Sequence, residues 1–181
     1  MSTIVLDAGH GGSDPGAVHQ GRMEKDDTLN LALAVAGKLR AQGQTVIMTR
    51  NEDVFLPLSE RSAIANRNPT DVFVSIHRNA ADSPQANGVE NFVYITPTPT
   101  ETQYATTVLD EVVKAGVQRD RGVKEGNFAV LRNTRAPAML LEMGFITNEK
   151  DNMLFDTHFN AYAEAIARGI LMALGLPYRK G

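Results

Sequence analysis

Four side chains, far apart along the chain, have the types that hydrolytic chemistry requires: His10, Glu24, His77 and Glu142. His10 and Glu24 lie in a stretch from Ala8 to Asp26 that holds five glycines and little hydrophobic periodicity. Irregular stretches of that length are usually functional or disordered. This one carries an imidazole and a carboxylate where something must pin the backbone, and a metal ion would do so. Two imidazoles and one carboxylate match the three-protein-ligand composition of catalytic zinc sites, which leave a fourth position for water. Zinc lowers the pKa of such a water from ~15.7 to ~7 and polarises a carbonyl oxygen. A carboxylate outside the ligand set must then move protons. Glu142 suits that role because it follows the apolar run Ala138-Met139-Leu140-Leu141. Burying a carboxylate there without a partner is costly, so structural needs alone would not select Glu.

Plainer readings of the same residues stand beside this one. His10 and His77 could hydrogen-bond to backbone, and Glu24, next to Lys25, could be a solvated charge favoured by a helix amino terminus. Glu142 could neutralise Arg132 or Arg135 in a structural ion pair. Asn79 could donate to a substrate or form a turn, since Asn tolerates left-handed backbone. His19 and His158 are read as bystanders.

No local signature such as H-E-x-x-H joins the four residues, so the fold must bring them together. Apolar, β-rich runs at Thr3–Asp7, Thr45–Thr49, Asp71–Ile76, Val89–Ile95, Phe128–Arg132 and Ala138–Glu142 predict six strands. Leu29, Ala32, Leu33, Ala36 and Leu39 recur at helical spacing, with Asp26, Asp27 or Thr28 as cap and Gly43 as stop. A short helix is expected over Leu58–Asn66 behind Pro57. Another is expected around Tyr104, Val108 and Val112, with Thr100 and Gln103 in capping-box spacing. A last helix is expected from Asp156 to Leu174. Strands alternating with helices imply a single-domain α/β fold spanning residues 1–181, with a mixed, mainly parallel sheet of about six strands flanked by helices. The Val89 strand is the candidate for antiparallel pairing. His77 and Glu142 then emerge at carboxyl ends of parallel strands, the edge where open α/β sheets bind ligands, and the glycine-rich loop leaves from the same edge.

The chain has 181 residues, 43% hydrophobic and 22% charged, which excludes disordered and fibrous classes. A net charge of -3 without a basic cluster argues against nucleic acid as a partner. The absence of cysteine removes disulfide scaffolds, Cys-ligated zinc, iron–sulfur clusters and thiol nucleophiles, so a metal must use His and carboxylates. No apolar stretch reaches the ~18 residues of a membrane span. No signal peptide is read in this chain, and an excised catalytic domain would look the same. The glycine-rich loop is not a dinucleotide fingerprint, which would need glycine at position 14, where Asp14 stands.

Several ordered motifs carry a family resemblance: Asp7-Ala-Gly-His10-Gly-Gly-Ser-Asp14-Pro-Gly-Ala17, Glu24-Lys25, Thr49-Arg50, Arg61 with Ala65-Asn66, Ser75-Ile-His77-Arg-Asn79, Gly88-Val-Glu90 and Leu141-Glu142-Met-Gly-Phe145. From residue 3 to about residue 174 the chain resembles the catalytic domain of the zinc-dependent N-acetylmuramoyl-L-alanine amidases (amidase type 3). The resemblance implies one zinc per chain on His10, Glu24 and His77, with Glu142 catalytic and Asn79 a substrate-binding candidate. It further implies hydrolysis of the amide between N-acetylmuramic acid and L-alanine of bacterial peptidoglycan, at the cell envelope or after secretion, by a monomer. Arg78 and Ala8 depart from the family pattern, where a small or apolar residue and a proline are common, and Arg78 is a candidate to alter substrate contacts. A zinc peptidase cutting another stem-peptide bond and a non-catalytic wall-binding module are the alternatives. Short connections imply an open cleft.

Overall fold

The computed structural model describes residues 1–179. Its strands are β1 (Thr3–Ala8), β2 (Val18–His19), β3 (Arg22–Met23), β4 (Thr45–Met48), β5 (Val72–Asn79), β6 (Val89–Val93), β7 (Asp120–Glu125) and β8 (Ala138–Phe145). Its helices are α1 (Glu24–Ala41), α2 (Leu58–Asn66), α3 (Pro99–Lys114), α4 (Ala129–Arg132), α5 (Glu149–Thr157) and α6 (Phe159–Ala173). Six strands form one sheet in the order β4-β1-β5-β8-β6-β7. β4, β1, β5 and β8 run parallel, and β6 is antiparallel to β8 and parallel to its outer neighbour β7. The expected α/β class with a mixed, mainly parallel sheet is the fold observed, including the antiparallel strand at Val89.

Strand alternation divides the core between the two faces of the sheet. Ile4, Leu6, Val74, Ile76, Met139 and Leu141 pack in one cluster with Leu31 and Val35 of α1, Val108 and Val112 of α3, and Ile166 and Ile170 of α6. On the opposite face Val5, Phe73, Ala138 and Leu140 meet Ala65 of α2 with Val130 and Leu131 of α4. The second cover is much smaller than the first. Beside it, Asp7 of β1, His77 of β5 and Leu140 of β8 line a cleft. Among the described residues no helix is long and apolar enough to cross a membrane.

Several local expectations change. Phe128–Arg132 is not a strand: Phe128 caps the short helix α4, and Phe128 and Phe92 pack edge to face at 5.1 Å. The strand role passes to β7, whose sequence Asp-Arg-Gly-Val-Lys-Glu shows no apolar alternation because it is an edge strand with little to bury. α1 begins at Glu24 behind Met23, so Asp26, Asp27 and Thr28 lie inside it and provide no cap. Thr98 and Glu101, not Thr100 and Gln103, form the capping box of α3. The expected final helix is α6, beginning at Phe159, and the preceding α5, which ends at Thr157, is an addition. Glu142 does not end its strand, which continues to Phe145.

Candidate metal centre

The irregular stretch after β1 is ordered by two arginines. Arg50 donates to the carbonyls of Ala8, Gly9 and Lys25 at 2.8–3.0 Å, and Arg61 to those of Ala8 and His10, both at 2.7 Å. Both side chains are buried, at 3% and 2% exposure. The backbone that a metal ion was expected to pin is thus also held by protein groups, because guanidinium forks satisfy carbonyls that would otherwise be buried unpaired. Arg61 also pairs with the fully buried Asp7 at 2.9 Å, and Thr49 and Ser75 each donate to Asp7 at 2.6 Å. Burial opposes ionisation of Asp7, but Arg61 and the two hydroxyls outweigh it and hold its pKa below the usual range.

This scaffold sets His10 in left-handed backbone at φ 63°, a conformation that a non-glycine residue holds only when its surroundings impose it. The His10 Nε2 lies 3.1 Å from Glu24 Oε2, and its Nδ1 lies 2.9 Å from Asp14 Oδ2. His77 reaches the other Glu24 oxygen at 3.0 Å through Nδ1, while its Nε2 meets Ser75 Oγ at 3.1 Å. The ring centroids of the two histidines are 5.0 Å apart. One ligand atom from each of His10, Glu24 and His77 can be chosen so that all lie within 4.8 Å of one another. The fold thus brings together the three residues that the sequence proposes. Glu24 is 4% exposed and sits between two imidazoles, which rules out the solvated-charge reading.

Two glycines exist to make room for this group. A Cβ on Gly9 would come within 2.4 Å of the His77 ring, and one on Gly16 within 2.6 Å of the His10 ring and 2.7 Å of Glu24 Oε2. Burial alone would raise the Glu24 pKa, yet its bonds to His10 and His77 bring it well below the carboxylate range. For His10, desolvation is likewise outweighed by Glu24 and Asp14, and the pKa rises to about 9. Two imidazoles drawn toward protonation around one buried anion form a cradle that attracts positive charge. A divalent cation meets that demand, and the N, N, O donor set fits zinc. Asp14 on the far nitrogen of His10 is the carboxylate–histidine arrangement that orients a metal ligand. Sequence reasoning gave Asp14 no such role, although it stands four residues after His10 in the same turn.

Glu142 lies beside this group. It pairs in register with His77 on β5 and with Glu90 on β6, so the three side chains share one face of the sheet. Glu142 Oε2 is buried with no hydrogen-bond partner among the described residues. Burial raises the Glu142 pKa to about 7, with His77 opposing the rise and Glu24 and Glu90 adding to it. The Arg132 alternative falls away because that guanidinium binds Asn127. A half-buried carboxyl group with one oxygen unpaired among the described residues, and poised near neutrality, can both accept and donate a proton.

Asn79 turns its Nδ2 to Glu90 Oε1 at 2.6 Å, while its Oδ1 accepts from the Ala80 N–H. Arg78 points to the other side of the sheet. There it donates to Asp27 at 2.5 Å and to Asn152 at 2.6 Å and lies over the Phe155 ring, away from the group around Glu24, so its candidacy to alter substrate contacts falls away. His19 and His158 lie outside the group, the latter stacked on Tyr162. A cleft of about 250 Å³ opens at the site, with Asp7, His10, Arg61 and His77 as polar lining and Phe55, Leu58, Phe128 and Leu140 as apolar lining.

Comparison with known proteins places the chain among relatives of one kind. The sporulation-specific N-acetylmuramoyl-L-alanine amidase of Bacillus subtilis (strain 168) is 37% identical over 171 residues, covering 93% of this chain and 65% of that protein. The endolysin of Bacillus phage SPP1 is 37% identical over 190 residues, covering 100% of this chain and 69% of that protein. The chain therefore spans about two thirds of the length of these two relatives. The solved structure of an N-acetylmuramoyl-L-alanine amidase from Clostridium difficile 630 superposes with a TM-score of 0.93 at 36% identity, covering 96% of this chain and 97% of that one. The sequence pattern of the amidase type 3 family, described as N-acetylmuramoyl-L-alanine amidase, matches residues 4–172, and the chain belongs to that family.

Proposed function

We propose that this chain is a mononuclear zinc amidase. Its reaction is hydrolysis of the amide that joins the lactyl group of N-acetylmuramic acid to L-alanine of the peptidoglycan stem, at the bacterial envelope. The observation that carries the reading is the convergence of His10, Glu24 and His77 beside the partnerless Glu142. His10, Glu24 and His77 would hold the ion. A bound zinc would supply Lewis acidity toward the amide carbonyl and would make water acidic at neutral pH. Asp14 fixes the His10 ring so that Nε2 faces Glu24, and Ser75, itself anchored on Asp7, steadies His77. Glu142 accepts a proton from the attacking water at a carboxyl oxygen and returns it to the departing nitrogen, acting first as base and then as acid. One zinc serves each chain, residues 1–181 act as one catalytic domain, and a monomer contains every group named.

The test is mass spectrometry of fragments released from purified peptidoglycan, with and without a zinc chelator. New L-alanine amino termini on free stem peptides, lost on chelation and restored by zinc, are the expected result. Cuts elsewhere in the peptide would reassign the bond and overturn the amidase reading. Release that persists without metal would overturn the zinc assignment, and no release from any wall type would favour a binding module.

A further inference from the structure

Beyond Glu142 the sheet carries a second charged group that the reaction does not use. Glu90, 4% exposed, receives hydrogen bonds from Asn79, from Arg121 Nε at 3.0 Å and from Lys124 Nζ. One buried carboxylate thus faces two cations, leaving a surplus positive charge. The cations also keep unused donors: Arg121 has Nη2 free among the described residues, and Lys124 spends one of three ammonium protons on Glu90. Both are within solvent reach, at 25% and 40% side-chain exposure, and the Arg121 guanidinium is braced over the Phe145 ring, 4.9 Å from its centroid.

The backbone is distorted to create this pair. Arg121 and Lys124 are three residues apart, and in a regular strand their side chains would leave opposite faces. Between them stands Gly122 at φ +79°, opposite a register shift between Val89 and Asn91. A Cβ on Gly122 would meet nothing within 4 Å, so glycine is required there for its conformation and not for space. Such a bulge, which re-aims side chains beside a site, brings both cations to the face that carries Glu142.

We infer that Arg121 and Lys124 form a carboxylate-binding subsite for the stem peptide. This rests on the proposed function above. The leaving nitrogen must lie at Glu142, which hands it a proton, so the peptide side of the substrate begins there. β6 and β7 follow β8 on the side away from His77, and β7 is two strand spacings, ~10 Å, from Glu142. A dipeptide spans ~7 Å when extended, and side-chain reach supplies the rest. The subsite therefore meets a carboxylate on the second stem residue, one residue beyond the cut amide. A planar, braced guanidinium with a lysine beside it is a receptor for that group.

Two muropeptides that differ only in whether the carboxylate of the second stem residue is free or amidated separate the possibilities. The wild-type protein should cleave the acid with a KM lower by about ten- to a hundredfold at similar kcat, the range that a charge-assisted contact supports. Arg121→Gln, which can still donate to Glu90, and Lys124→Gln should each shrink that preference several-fold while leaving KM for the amide nearly unchanged. Equal losses on both substrates would assign the pair to supporting Glu90 and overturn the inference, as would a wild-type protein indifferent to amidation. Calorimetric binding of the free stem peptides, acid and amide, needs no turnover. An acid preference lost in Arg121→Gln would support the subsite even if the amidase reading failed, and no preference would overturn the subsite even if that reading held.

Discussion

Replacing Glu142 by Gln should remove catalysis and stabilise the metal-stripped fold at the same time. The Glu142 carboxyl oxygen Oε2 is buried without a partner, and its pKa is raised from 4.5 to about 7, chiefly by that burial. Because the folded-state value lies above the unfolded one, its stabilising contribution is fully present below pH ~4.5 and is lost as pH rises through about 7. The difference corresponds to about 3 kcal/mol, taken as about 2–3 kcal/mol because the side chain is partly exposed. Gln keeps the shape and never ionises. In metal-free protein at pH 8 the Glu142→Gln variant should melt roughly 4–12 °C above wild type, since each kcal/mol moves the midpoint about 2–4 °C in a chain of this size. At pH 4.5 the offset should nearly vanish. The assay is thermal melting of chelator-treated proteins across that pH range, paired with zinc content and peptidoglycan turnover of the loaded proteins. Zinc should be retained and turnover should fall at least a hundredfold, within the range for removal of a general base. An offset that is absent, or equal at both pH values, would refute the claim that partial burial holds the Glu142 carboxyl group near neutrality. Retained turnover would refute its proton transfer.

Other outcomes follow from the same geometry. His77→Ala should lose both zinc and turnover, as read by metal analysis of the purified protein, whereas Asp14→Asn should keep the site and weaken zinc about 10–100-fold in a competition titration. Arg61→Met leaves Asp7 buried with its cation removed and should lower the urea-derived stability by about 3–5 kcal/mol, with loss of less than about 1 kcal/mol excluding the pinning role of this pair. Gly9→Ala should abolish zinc binding, because its methyl would occupy the space of the His77 ring. Gly37→Ala, on the exposed face of α1 with nothing within 4 Å, should instead raise stability by about 0.5–1 kcal/mol in the same denaturation assay.

What could be read in the sequence is what local chemistry dictates. Apolar runs marked β1, β4, β5, β6 and β8 because buried strands must be hydrophobic, and α2 matched its expected bounds. His10, Glu24, His77 and Glu142 stood out because their types fit one reaction and because parallel strands deliver their carboxyl ends to one edge. β7 and α4 were exchanged because an edge strand carries no burial signal, whereas the apolar residues of α4 imitate one. Arg78 stood out as a departure that could alter substrate contacts, although alternation along β5 sends it to the opposite face from His77. The sequence by itself thus determined which groups were present and which faces must be buried. Only the tertiary structure decided which charges meet. Arg61 finds Asp7 across 54 residues, Arg50 and Arg61 gather the carbonyls of the glycine loop, and a bulge at Gly122 turns two cations onto Glu90. A polar side chain can satisfy itself with many partners, and which one it obtains depends on backbone positions that no local pattern encodes.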